Sequence, residues 1–145
     1  MRFFNTLQPV AVLLMRVALG VIFITHGYPK LAKPALGMQA LFVQHGLPGY
    51  FVYVSGILEV FGGGLLLLGL FARVAGLLLA IEMTVAIFKI HSGGGILAVH
   101  NYEFPLSLGV AAFALSAIGP GLISIDAALF SEGGAKPRAP KPARK

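Results

Sequence analysis

YFVYVSGILEVFGGGLLLLGL, residues 50–70, carries one charged side chain, Glu59, in an otherwise apolar run. A helix needs roughly 20 predominantly apolar residues to cross the hydrocarbon core of a bilayer. This stretch therefore predicts a membrane-spanning helix. Three further blocks have the same character: about Pro9 to His26, Arg73 to His91, and Phe104 to Ile118. Pro9 suits a helix start, because its missing N–H falls at a position with no intrahelical partner. The fourth block reaches spanning length if it begins near His100, with Pro105 in its first turn. Composition agrees. The 145-residue chain is 57% hydrophobic and 11% charged, with a mean hydropathy of +0.88. A soluble domain averages about 25% charged residues, and this chain has too few to cover a water-facing surface. The expected fold is all-α: a polytopic membrane protein, an antiparallel four-helix transmembrane bundle over residues 1–130.

The connections are read from their breakers. Lys30 to Pro48 contains Pro34, Gly46 and Pro48, and its middle, Ala35 to His45, predicts a short interfacial helix. Gly69 to Arg73 reads as a tight turn, and Ser92-Gly93-Gly94-Gly95 opens a loop before the fourth span. Ser124 is a suitable N-cap for a short terminal helix, with Asp126 at the positive end of its dipole. The first block follows Met1-Arg2 like a signal peptide. Arg16 interrupts it, however, and no small-residue cleavage site follows before Gly27-Tyr28-Pro29-Lys30, so a retained helix is expected.

The formal net charge of +6 invites a nucleic-acid reading. Its distribution removes that reading. Residues 136–145 hold five of the eleven Lys and Arg and no acid, so the preceding residues have a net charge of +1. Residues 131–145 read as a disordered basic cytoplasmic tail rich in Pro and Ala, without the interleaved aromatics of a nucleic-acid surface. Arg2, Arg73, Lys136, Arg138, Lys141, Arg144 and Lys145 lie on one side of four spans, and Lys30, Lys33 and Lys89 on the other. The positive-inside rule then places both termini in the cytoplasm.

Cysteine is absent, which excludes disulfides, thiolate metal sites and thiol redox pairs. Gly62-Gly63-Gly64 lacks the Lys-Ser/Thr ending of a phosphate loop. No tight His/Asp/Glu spacing predicts a metal site. Two groups of residues remain. Arg16, Glu59 and Glu82 fall near the middle of three separate spans, where a charge costs roughly 2.5–3.5 kcal/mol. They are expected to satisfy one another inside the bundle, with Arg16 and Glu59 as the favoured pair. Two carboxylates against one guanidinium leave one acid to be protonated or to meet Lys89 or water. The second group is His26, Lys30, His91, His100, Tyr102 and Glu103, which four antiparallel helices bring to one face. Histidine titrates near neutrality and Lys donates hydrogen bonds, a combination suited to a quinone head group and its protons. The same residue types also serve as ordinary headgroup anchors.

Leu14-Met15-Arg16 through His26-Gly27-Tyr28-Pro29-Lys30-Leu31 resembles the DoxX family of small bacterial membrane proteins. So do Gly46-Leu47-Pro48, Leu58-Glu59-Val60-Phe61-Gly62-Gly63, Leu68 to Arg73, His91, Asn101 to Pro105, Gly119-Pro120-Gly121 and Ser124-Ile125-Asp126. The resemblance covers about residues 10 to 130. It implies a four-helix protein of the bacterial inner membrane. It also implies association with an oxidoreductase, since the family takes its name from a subunit of a thiosulfate:quinone oxidoreductase. Quinone would be the cofactor, and the lipid bilayer, a partner oxidoreductase subunit or a second copy of the chain the partners. The positions that match the family pattern are Arg16, His26, Gly27, Lys30, Glu59, Tyr102, Glu103 and Asp126.

Overall fold

A computed structural model describes residues 2–32 and 36–130, with side chains from residue 6 onward. The expected tail, residues 131–145, lies outside the described residues. The described residues form helices and connections, with no strand among them. The helices are α1 (Arg2–Ala32), α2 (Leu36–Gln44), α3 (Phe51–Leu68), α4 (Ala72–Lys89), α5 (Val99–Ile118) and α6 (Ile125–Phe130). Two of them, over Thr6–Ala32 and Phe51–Leu68, are long and apolar enough to cross a membrane.

α1 packs chiefly on α3, and α4 on α5. α3 joins the two pairs through α4. Glycine sets the first pairing. A Cβ on Gly20 would lie 2.7 Å from the Gly63 carbonyl oxygen, and one on Gly63 would lie 2.8 Å from the Gly20 carbonyl oxygen. A Cβ on Gly27 would lie 2.9 Å from the Gly56 carbonyl oxygen. The two antiparallel backbones are therefore in direct contact at two levels. Small residues permit this in lipid, where van der Waals packing rather than hydrophobic exclusion holds helices together. The second pair uses the same device: a Cβ on Gly76 would meet the Ala112 carbonyl oxygen at 2.7 Å. Between the pairs, Gly62 faces Leu79, and Phe23, Leu66, Leu79, Ala112 and Leu115 form a buried core.

α1 is longer than expected. It begins before Pro9, which lies inside the helix, and it continues past His26 through Pro29 to Ala32. Proline removes one intrahelical hydrogen bond, but the backbone of a lipid-exposed segment has no water to bond instead, so the helix is retained around it. The extension past His26 is held by α3, because Gly27, Lys30 and Leu31 all pack against Gly56 or Glu59. α5 starts at Val99, and Pro105 is its seventh residue, just beyond the first turn.

The outward faces of the long helices are apolar. Leu14, Phe61, Phe88 and Phe113 are exposed, whereas Arg16 and Glu59 are 2% and 4% exposed. A water-soluble protein has the opposite arrangement. α2 forms where the interfacial helix is expected, buries no residue, and is tied to α3 by a Gln39 Nε2–H donating to the Tyr53 hydroxyl at 2.9 Å.

Candidate functional site

The intramembrane charges separate into two groups at different levels of the bundle. The first surrounds Arg16. Its Nε donates to the Leu66 carbonyl at 2.9 Å and Nη2 to that of Leu67 at 3.1 Å. Nη1 donates to the carbonyls of Pro120 and Ile123, both at 2.7 Å. Leu66 and Leu67 lie in the last turn of α3, where carbonyls lack the usual i+4 partner and Leu66 has only the Gly69 N–H besides Arg16. Arg16 thus closes the C-terminus of α3 and holds the segment after α5 against it. This corrects the expected pairing: Arg16 meets neither Glu59 nor Glu82. The physical reason is register. The glycine contacts set residue 20 beside 63 and 27 beside 56, which brings Arg16 level with Leu67. Glu59 then lies eight residues along α3, roughly 12 Å away at 1.5 Å per residue.

Neighbouring groups at this end also serve the backbone. Gly69 adopts the left-handed conformation (φ 66°), and its N–H bonds back to Leu66. Phe71 follows with φ 48°, the one non-glycine positive φ among the described residues. The Asp126 carboxylate accepts from the N–H groups of Phe71 at 2.9 Å and Ala72 at 3.2 Å, which caps the start of α4. Arg73 donates to the carbonyls of Ser116, Ala117 and Ile118, at the end of α5. Ser124 Oγ accepts from the Ala127 N–H at 3.0 Å, as its N-cap position predicts. A cavity of about 490 Å³ lies here, lined in part by Phe71, Arg73, Pro120, Asp126 and Phe130.

The second group is a run of side chains across three helices. Lys30 Nζ on α1 donates to Glu59 Oε2 on α3 at 2.5 Å and to Ser55 Oγ at 2.7 Å. Ser55 Oγ donates to Glu82 Oε1 on α4 at 2.5 Å. Lys30 and Glu59 form an ion pair with side-chain exposures of 17% and 5%. The other Glu82 oxygen, Oε2, is buried with no hydrogen-bond partner. Lys30 replaces the expected Arg16 because α1 continues as helix beyond His26, which draws Lys30 from the rim onto the α3 face. Lys89, the other expected partner of the spare acid, is exposed.

The remaining rim residues are placed as follows. His26 is one turn before Lys30, exposed, with its ring 5.2 Å from that of Phe104 on α5 and its Nδ1 2.9 Å from the Ile22 carbonyl. Tyr102 Oη donates to the Ile96 carbonyl at 2.6 Å, and Asn101 Nδ2 donates to that of Gly93, so both fasten the loop before α5. His91 Nδ1 lies 3.0 Å from the Ala86 carbonyl, at the end of α4. His100 and Glu103 are exposed near the start of α5. The structure therefore joins Lys30 to Glu59 and Glu82, with His26 alongside. It does not bring His91, His100, Tyr102 and Glu103 into that run. Ser55 is the member that sequence reading gave no role. Its only signal is its place one turn before Glu59, on the glycine-bearing face of α3. No group of three His, Asp or Glu suited to a metal ion occurs among the described residues.

This chain is similar to known proteins over most of its length. The DoxX family model matches residues 11–92. A Bacillus subtilis protein named "Putative oxidoreductase CatD" is 31% identical over 121 residues, which cover 83% of this chain and 88% of that protein. The inner membrane protein YqjF of Escherichia coli is 36% identical over 123 residues, covering 83% of this chain and 92% of that one. An uncharacterized membrane protein of Mycobacterium tuberculosis is 31% identical over 131 residues, covering 81% and 80%. No solved structure matches. With its apolar exterior, its buried charges and these relatives, the chain belongs to the DoxX family of membrane proteins.

Proposed function

We propose that this chain is a multi-pass protein of the bacterial inner membrane and a quinone-interacting or accessory subunit of a membrane oxidoreductase. α1, α3, α4 and α5 are the four spans in this reading. Both termini are cytoplasmic, and the Lys30 end faces the other side. The observation that carries it is the connected run Lys30–Glu59–Ser55–Glu82, which begins beside exposed His26 and ends at an unpartnered buried oxygen. Ionisable residues within a membrane are costly and mark ion, proton or ligand sites. A quinone head group needs donors at its carbonyls and protons on reduction, and His26 and Lys30 have the chemistry for both. The oxidoreductase name of the Bacillus relative points the same way. A catalytic partner subunit would supply the electron donor, because this chain has no cysteine.

The test uses the full chain purified into lipid nanodiscs. A short-chain benzoquinone raises its melting temperature, and native mass spectrometry finds quinone or a partner chain retained. Absence of both overturns the reading. The second reading is a non-enzymatic scaffold, assembly factor or small-molecule carrier. The Arg16 end favours it, since every bonded charge there serves the backbone. It gains if Arg16→Ala and Glu59→Ala lower abundance while His26→Ala and His100→Ala change nothing measurable.

A further inference from the structure

We infer that the polar run is a proton-binding site: one exchangeable proton resides on the Glu82–Ser55 contact, while Glu59 stays ionised against Lys30. The inference deepens the proposed proton-coupled role of this site, yet its test requires no quinone.

Two carboxylates share one ammonium, so the fully ionised run has a net charge of −1 away from water. Two of the three ammonium hydrogens are engaged. Lys30 Nζ donates to Glu59 Oε2 and to Ser55 Oγ, and no direct Lys30–Glu82 bond forms. Glu82 receives only what Ser55 can give, and a hydroxyl has one hydrogen. Ionised, Glu82 would have one oxygen on that single donor and the other, Oε2, buried with none. An unpaired buried charge costs far more than an unpaired buried neutral oxygen. Protonated on Oε1, Glu82 donates to Ser55 Oγ across the same 2.5 Å contact, Ser55 Oγ accepting from both Glu82 and Lys30 while its own hydrogen turns away from Glu82. Oε2 then becomes the carbonyl oxygen of a neutral acid.

The other neighbours do not alter this balance. α1 brings Lys30, with exposed His26 one turn before it. α3 brings Ser55 and Glu59. α4 itself continues with Met83 and Thr84, whose hydroxyl donates to the Ala80 carbonyl. α5 packs beside Met83 through Gly109, with Leu108 adjacent, and neither carries charge. The proton's route to water is short and polar: the Ser55 hydroxyl, then the half-buried Lys30, one turn from exposed His26.

Infrared spectroscopy of the full chain in nanodiscs, titrated with pH, tests this. The expected result is the carbonyl stretch of a protonated carboxylic acid near neutral pH. It disappears in Glu82→Gln, is lost at lower pH in Glu59→Gln, where the Lys30 ammonium no longer has Glu59 to neutralise, and shifts to higher frequency in Ser55→Ala, where its hydrogen-bond partner is lost. Glu82→Gln is also expected to leave the melting temperature nearly unchanged. A wild-type spectrum without the band, or a band that survives Glu82→Gln, overturns the inference. Should Glu59→Gln not fold, the Ser55→Ala shift alone decides: an unmoved band overturns it. A positive infrared result with no quinone-induced melting shift would keep the proton site and remove the quinone reading.

Discussion

The two ends of the bundle use buried charge in different ways. At the Arg16 end, guanidinium and carboxylate groups bond to backbone carbonyls and N–H groups at the termini of α3, α4 and α5. At the Lys30 end, ionisable side chains bond to one another, and one oxygen has no partner. Helix ends must be satisfied wherever they lie away from water, so charges of the first kind are explained by folding alone. The second kind has no such explanation, since no helix terminus needs those groups. Burial by itself therefore does not mark a functional charge in this protein. The nature of the partner is what separates the two ends.

Mutations can break this contrast. Arg16→Ala leaves the carbonyls of Leu67, Pro120 and Ile123 without their side-chain donor, and that of Leu66 with the Gly69 N–H alone. A stability loss of about 3–5 kcal/mol is expected from several unsatisfied buried acceptors, measured by denaturant titration in detergent micelles. Arg16→Lys should recover little, since a single ammonium cannot reproduce the forked geometry. Full rescue by lysine would show that charge, not backbone closure, matters there. Next in size, Glu59→Ala strands the Lys30 ammonium and should cost about 2–3 kcal/mol. A smaller loss than that of Asp126→Ala would reverse the ranking of the two ends. Asp126→Ala removes a helix cap and should cost about 0.5–2 kcal/mol by the same titration. The smallest effect belongs to His100→Ala, within about 0.5 kcal/mol of wild type as for an exposed position. A larger loss would place His100 in a network the geometry does not contain.

The helical class and the approximate element positions were legible because apolar blocks of spanning length admit few other readings. The turn at Gly69 and the Ser124 cap were legible for a local reason, since each acts within a few residues of itself. The partners of Arg16 were not. They lie 50 to 107 residues away, and they are backbone carbonyls, which have no sequence signal. Lys30 was read as a rim residue because the apolar block ends near His26. Contact with Gly56 extends the helix beyond that limit, and tertiary packing overrides the local pattern. Ser55 was legible only as a small residue on a packing face. Its bridging role appears once the α1–α3 register sets Lys30 and Glu82 on either side of it.

That register has a mechanical consequence. The paired glycines recur seven residues apart on both helices, Gly20 and Gly27 against Gly63 and Gly56, about 10.5 Å or two turns. At both teeth a backbone carbonyl lies against a glycine, with the side chains of Leu67, Ile24 and Leu31 packed around the contact. Sliding α1 along α3 by a single turn would push side chains into both notches at once. α1 and α3 therefore behave as one strut. α4 and α5 are joined to that strut by fewer ties, of which Ser55–Glu82 is the side-chain bond between α3 and α4.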